Sequence, residues 1–243
     1  MKLTANHKTC LYAALVIALL VIDQVIKIWV KTNMCLHESI RITDWFYLSF
    51  IENNGMAYGM TFVPKYALSI FRFVACCYLI YYIRKEIARG ARAVWLVLLS
   101  MVLAGAAGNL IDCMFYGLMF SGASPYATSF FVDFGTGYAP FMQGRVVDMF
   151  YFPLIVTTYP DWFPLWAGEP FIFFAPIFNF ADACISVSVV AVILFCRKEL
   201  SELNMGGKKV ATANVAEDTQ EAEVTEGAEC AEVAECAECA DNQ

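Results

Sequence analysis

The sequence predicts an all-α integral membrane protein with four transmembrane helices, a small β-containing element on the outer surface and an interfacial outer loop. Three observations predict it. Of the 243 residues, 60% are hydrophobic and 15% aromatic, and the mean hydropathy is +0.58; a soluble domain holds roughly 45–50% apolar residues. Several apolar runs reach the roughly 20 residues that cross a bilayer. Lys and Arg gather in two short segments beside these runs, the pattern that orients membrane proteins.

The first run, "CLYAALVIALLVIDQVIKIWV", covers Cys10 to Val30 and follows Lys2 and Lys8. A cleaved signal peptide has a shorter apolar region and a small-residue cleavage site. This run is long, holds Asp23 and ends in bulky residues, so it reads as a transmembrane helix. The next segment, Lys31 to Lys65, carries "WFYLSFIENNGMAYG". Its partial alternation and Asn-Asn-Gly turn signal predict short strands and turns at the membrane surface. The second span runs from Tyr66 to Ile83 and contains Arg72, which must snorkel or face the bundle. "RKEIARGAR" follows with Arg84, Lys85, Arg89 and Arg92.

The third span runs from Ala93 to about Gly117, and its small residues Ala104 to Gly108 permit close helix approach. A loop from Leu118 to about Gly168, rich in aromatics, Gly and Pro, is expected to lie on the membrane interface. The fourth span is read from about Pro170 to Cys196, with Pro176 kinking it or marking its start. Residues 1–200 form one membrane domain, and 201–243 an acidic tail of Ala, Glu and Cys without aromatics, expected to be disordered. The positive-inside rule puts "RKEIARGAR" and the basic segment after the last span in the cytoplasm, with both termini.

Several classes are excluded. The net charge of −7 comes mostly from the tail, and no basic stripe points to nucleic acid. Ten cysteines scattered through apolar runs and tail make no disulfide framework. With only His7 and His37, and one unmatched Cys-x-x-Cys at Cys236 and Cys239, neither a zinc site nor any other metal or cofactor is expected.

Four aspartates stand in or beside the spans: Asp23, Asp112, Asp148 and Asp182. On this topology all four fall at one depth, near the outer surface, with Asn53, Asn109 and Asn179 alongside. A single intramembrane aspartate can serve as a helix-to-helix hydrogen bond. Four at one depth point to a functional site. Two carboxylates facing each other across a water share a proton, because like charges close together cannot both ionise easily. One then takes a proton from water while the other polarises a carbonyl, which is aspartic peptidase chemistry. No Ser/His or Cys/His pair competes.

The motifs "DQVIKIWV", "ENNGMAYGM", "GNLID", "GRVVDMFYF" and "FNFADACI" occur in this order along the chain. In these motifs and over roughly residues 10–198 the chain resembles the signal peptidase II family, four-span bacterial membrane aspartic peptidases. The resemblance implies that Asp148 and Asp182 are the catalytic pair. It implies that Asp23, Asn53, Gly55, Asn109, Asp112 and Asn179 bind substrate or support the site. Asn179, three residues before Asp182, would share a helical face with it. The implied activity is removal of the signal peptide from diacylglyceryl-modified prolipoproteins, by a monomer in the bacterial inner membrane, in contact with membrane lipid.

The chain departs from the family pattern in three places. Cys113 stands where the family usually has arginine, and Met56 and Tyr58 are bulkier than usual. Asp148 lies thirty-six positions after Asp112, a much longer connection than the family commonly uses, and the inserted "FFVDFGTG" offers Asp133 as a rival to Asp148. Asp148 is preferred because Gly144, Val146 and Val147 precede it in the familiar pattern. The other classes weighed are a proton-coupled transporter, disfavoured by four spans without a repeat, and a non-catalytic membrane partner.

Overall fold

The computed structural model describes residues 4–54, 64–160, 162, 166 and 168–202. Gly55 and nearly all of the predicted tail lie outside them. The elements are α1 (Ala5–Asn33), β1 (Ser39–Arg41), β2 (Tyr47–Asn53), α2 (Lys65–Arg89), α3 (Ala93–Ile111), a π-helical segment (Asp112–Tyr116), α4 (Gly117–Met119), β3 (Val146–Tyr151), β4 (Ile155–Thr158), β5 (Pro170–Phe173) and α5 (Phe180–Phe195). The chain divides into two compact units, Met1–Ala191 and Val192–Gln243. The described part of the second is helical at its start and again over 197–202, with the Cys196 amide bonded to the Val192 carbonyl at 2.9 Å.

Among the described residues three helices are long and apolar enough to cross a membrane: Ala5–Asn33, Lys65–Arg89, and α3 extended through the π segment to Met119. The fourth expected span is shorter than the sequence suggested. α5 has 16 residues, a rise of roughly 24 Å, against a hydrocarbon core of about 30 Å. The cause is local. Pro170–Phe173 pairs as a strand with β4, Ile155 opposite Phe173 and Thr158 opposite Pro170. Pro176 has no amide to donate, and the helix starts only after Asn179.

The small β-containing element expected beside the helices takes the form, among the described residues, of two small sheets. In the first, β1, β2 and β3 are antiparallel in spatial order. β1 and β2 realise the strands expected between Lys31 and Lys65. The surprise is β3, which turns "VVDMFYF" from the end of a loop into the third strand. Alternation sends Val147 and Met149 into a core cluster with Val30, Met34, Phe50, Tyr116 and Phe120, and Asp148 to the opposite face. Both faces are covered, so Asp148 is only 3% exposed.

The inserted residues after Met119 are tied back to the helix. The Gly144 amide donates to the Cys113 carbonyl at 2.8 Å, within the π segment. A Cβ on Gly144 would collide with the Asp112 carbonyl oxygen, so only glycine allows this approach. A carbonyl bonded from outside the helix is a recognised cause of such widened turns.

α3 is the central helix. A Cβ on Gly105 would meet Ile185 Cγ1 at 2.6 Å, and one on Gly108 would meet Asp23 Oδ2 at 2.5 Å. These two glycines let α5 and α1 seat directly on the α3 backbone, as the small-residue stripe predicted.

Candidate active site

Two backbone arrangements bring Asp148 and Asp182 together. Phe150 and Phe178 exchange backbone hydrogen bonds of 2.7 and 3.1 Å. The residue after Phe178 is Asn179, and Asp148 lies two positions before Phe150 on β3. The second arrangement is the start of α5. Asn179 Oδ1 accepts from the Asp182 amide at 3.0 Å, and the Asn179 amide approaches Asp182 Oδ2 at 3.4 Å. This is a capping box with Asp in the place of the usual Glu or Gln. The expectation that Asn179 and Asp182 share a helical face is thereby corrected: Asn179 caps the helix, and the two meet through the cap. Asp182 in the first turn also lies at the positive end of the α5 dipole.

The amide of Asn179 then joins the two carboxylates. Its Nδ2 donates to Asp148 Oδ1 at 2.6 Å while its Oδ1 holds the Asp182 amide. Asn53 Nδ2 donates to Asp148 Oδ2. In the register of β2 and β3, Asn53 opposes Val146, so Asp148 is its diagonal neighbour on the same face. An irregularity between Leu48 and Ile51 resets the pairing just before this point. Asn109 Nδ2 donates to Asp182 Oδ1 at 2.7 Å.

Burial is the first cause of a raised Asp148 pKa and the nearby Asp182 carboxylate the second; together they push it to about 7 against the bonds from Asn179, which lower it. Asp148 therefore binds its proton more tightly than an ordinary carboxyl does.

A second layer of side chains lies under the first. Lys27 Nζ, fully buried, contacts Asp23 Oδ2 at 3.0 Å, Asp112 Oδ2 at 2.8 Å and Asn109 Oδ1 at 2.9 Å. Gln24 Nε2 donates to Asp23 Oδ2 and Asp112 Oδ1, and Tyr116 Oη donates to Gln24 Oε1 at 3.1 Å. Asp23 Oδ1 accepts from the Ala181 amide at 3.0 Å, one residue before Asp182. Asp112 Oδ2 lies 3.4 Å from the Val147 amide, one residue before Asp148. Each lower carboxylate thus holds the backbone beside one upper carboxylate. Asn109 links the layers, its oxygen facing Lys27 and Asn179 and its nitrogen facing Asp182.

Of the eight residues singled out in the sequence, seven belong to this one network, and Gly55 lies outside the described residues. Asp133 is remote from it in kind: exposed, on a turn closed by Thr136. Arg72 faces the bundle, and its Nη1 donates to Cys113 Sγ at 3.2 Å. A guanidinium from α2 thus reaches the position where the family usually supplies one from α3.

A solved bacterial membrane enzyme matches with a TM-score of 0.53 at 22% identity, over 79% of this chain and 90% of that one; the likeness is one of fold. The lipoprotein signal peptidase of Porphyromonas gingivalis is 46% identical over 209 residues, 86% of this chain and 92% of its own. That of Amoebophilus asiaticus is 34% identical over 189 residues, 75% of each chain. The family described as signal peptidase (SPase) II matches residues 15–197. The chain belongs to the signal peptidase II family.

Lys27, Gln24 and Tyr116 are the parts of this signal peptidase II site that the sequence reading passed over. Lys27 was detectable. "DQVIK" puts a lysine four residues after an aspartate, on one face of a membrane helix, and an unpaired cation there is costly. Gln24 and Tyr116 carry no such signal, since apart from Asp23 beside Gln24 their partners come from elsewhere in the chain. The same holds for Lys31, which pairs with Glu52 while Arg145 contacts the other Glu52 oxygen at 3.2 Å. This cluster fixes β2 and β3 beside Asn53 and Asp148.

Proposed function

We propose that this chain is an aspartic endopeptidase of the bacterial inner membrane, multi-pass, that removes the signal peptide from diacylglyceryl-modified prolipoproteins. Asp148 and Asp182 are its catalytic pair. The observation that carries the reading is the Asn179 amide bonded to Asp148 on one side and to the Asp182 amide on the other, with burial and Asp182 raising the Asp148 pKa to about 7. One carboxyl keeps its proton and the other stays charged, as acid–base hydrolysis of a peptide requires.

In this reading Asp182 acts as general base on the attacking water. Protonated Asp148 donates to the scissile carbonyl and stabilises the oxyanion. Hydrolysis adds the hydroxyl of water to the acyl carbon and its proton to the leaving amine, and the pair returns to its singly protonated state. Asn53, Asn109 and Asn179 hold the carboxylates in place, and their amides are within reach of a substrate backbone. The exposed aromatics of the connection between the two aspartates, Trp162, Trp166 and Phe173 among them, suit a lipidated substrate held at the membrane surface. The basic segments after the second and last spans support an orientation with both termini in the cytoplasm and the site toward the outer face.

The test is a gel-shift cleavage assay on purified protein given a diacylglyceryl-modified prolipoprotein. Wild type and Asp133→Asn should cleave, and Asp148→Asn and Asp182→Asn should not, with all four folded. Cleavage by either dyad variant would remove the aspartic mechanism.

A further inference from the structure

At the far end of the helices from the aspartates, a cleft of about 260 Å³ opens between α1 and α2 over α3. It is roughly 16 Å along α1 from Asp23 to Tyr12 at 1.5 Å per residue. α1 and α2 each pack on α3, and the gap between them is walled by Tyr12, Ala13 and Val16 of α1, Ile80 and Ile83 of α2, and Leu103 of α3. Thr9 and Ser100 also line it, but both hydroxyls donate to their own helices, to the Ala5 and Leu96 carbonyls at 3.0 and 2.7 Å. The body of the cleft therefore presents hydrocarbon.

The rim is different. Arg84 lines the cleft and is exposed, and among the described residues no carboxylate pairs with it. The neighbouring Glu86 is buried and is taken by Arg89 at 3.1 Å. Lys8 stands one helical turn from Tyr12 on the same face of α1. One cation thus comes from each helix flanking the opening, with Lys85 and Arg92 nearby in sequence.

We propose that this cleft binds an anionic phospholipid, one acyl chain lying in the gap and the headgroup phosphate on Arg84 and Lys8. A gap between helices in a bilayer with no polar lining is not filled by water; lipid chains are what surround it. The volume lies just under the roughly 300–1,000 Å³ that enclose small organic ligands, which suits a stretch of single chain and not a whole lipid. Charge complementarity selects the headgroup. Basic pockets between helices at the cytoplasmic surface hold acidic lipid headgroups, each cation contributing about fivefold in affinity. The zwitterionic lipid of equal chain length offers the same hydrocarbon without the net charge.

The experiment is native mass spectrometry of the full chain in detergent, given equal amounts of chain-matched phosphatidylglycerol and phosphatidylethanolamine. Wild type should retain one phosphatidylglycerol in preference. Arg84→Gln, on the surface and away from the aspartates, should keep its fold and lose about fivefold of that preference. Ala13→Trp, which fills the gap, should lower retention of both lipids. Equal retention of the two lipids by wild type, or an unchanged preference in Arg84→Gln, would overturn the proposal. Competition by glycerophosphoglycerol, the headgroup without chains, would overturn the role of the cleft. No substrate is present in any arm, so the outcome is independent of the peptidase reading.

Discussion

At the scale of single residues, the site is a matter of which groups share protons and which hold charge. A carboxyl whose folded pKa lies above its unfolded one binds its proton more tightly when folded. Its contribution to stability is therefore present at low pH and is lost as pH rises from the ordinary 3.8 through about 7 for Asp148. A displacement of that size corresponds to roughly 4 kcal/mol. Asp148→Asn removes the titration and keeps the shape. It should unfold at a higher temperature than wild type at pH 8, and the advantage should vanish near pH 4; thermal scans at the two pH values check this. Lys27 poses the opposite case. Lys27→Met leaves Asp23 and Asp112 buried with no cation between them and should cost about 3–5 kcal/mol. Adding Asp112→Asn to Lys27→Met should restore part of that loss in the same thermal assay, because one of the two buried charges is gone.

At the scale of elements, the β2 and β3 pair and the first turn of α5 bring the carboxylates together, while α1 and α3 carry the layer beneath. The Gly105 position tests the dependence of α5 on its seat. Gly105→Leu drives a side chain into the Ala181 carbonyl and Ile185, and overpacking of this kind costs about 1–3 kcal/mol. The first turn of α5 carries Asp182, so cleavage by this variant should fall further than its lowered unfolding temperature alone explains. Rates measured well below that temperature would show it. The same elements show where sequence reading works. Helices α1 to α3 were legible because hydrocarbon length and Lys/Arg placement are properties of one segment. The candidate pair Asp148 and Asp182 could be picked out because both residues lie in short motifs. β3 could not, since it is a strand only through pairing with β2, and its run of large apolar residues is covered on both faces and shows no alternation of polarity. The start of α5 was half legible: Pro176 marked one place where it could begin, but "PFIFFAPIF" is apolar enough for a membrane helix, and only pairing with β4 makes Pro170–Phe173 a strand. Asn179 meets Asp182 through a cap and not on a helical face, because a capping residue and a first-turn residue carry the same three-residue spacing as two neighbours on one face.

At the scale of the whole molecule, the pair should impose an alkaline limit on activity. In the proposed mechanism cleavage requires one proton on the pair, and Asp148 gives it up as pH passes about 7. The ratio kcat/KM for a soluble-detergent assay should therefore fall on the alkaline side of that value, while Asp133→Asn should leave the profile unshifted. The acidic tail lies beyond the family match, which ends at residue 197. A chain ended after residue 202 should cleave at the wild-type rate in the same assay. The two long connections of this chain leave and return at fixed backbone joints: the bond from Gly144 to Cys113 closes the first, and the paired Phe150 and Phe178 close the second. Each joint lies within a few residues of a site aspartate, on the site's side of the connection. Whatever hangs beyond a joint can grow, shrink or change its sequence without altering the spacing of the carboxylates. The chain is thus built so that the surroundings of the site can change in length while the backbone joints beside its aspartates stay in place.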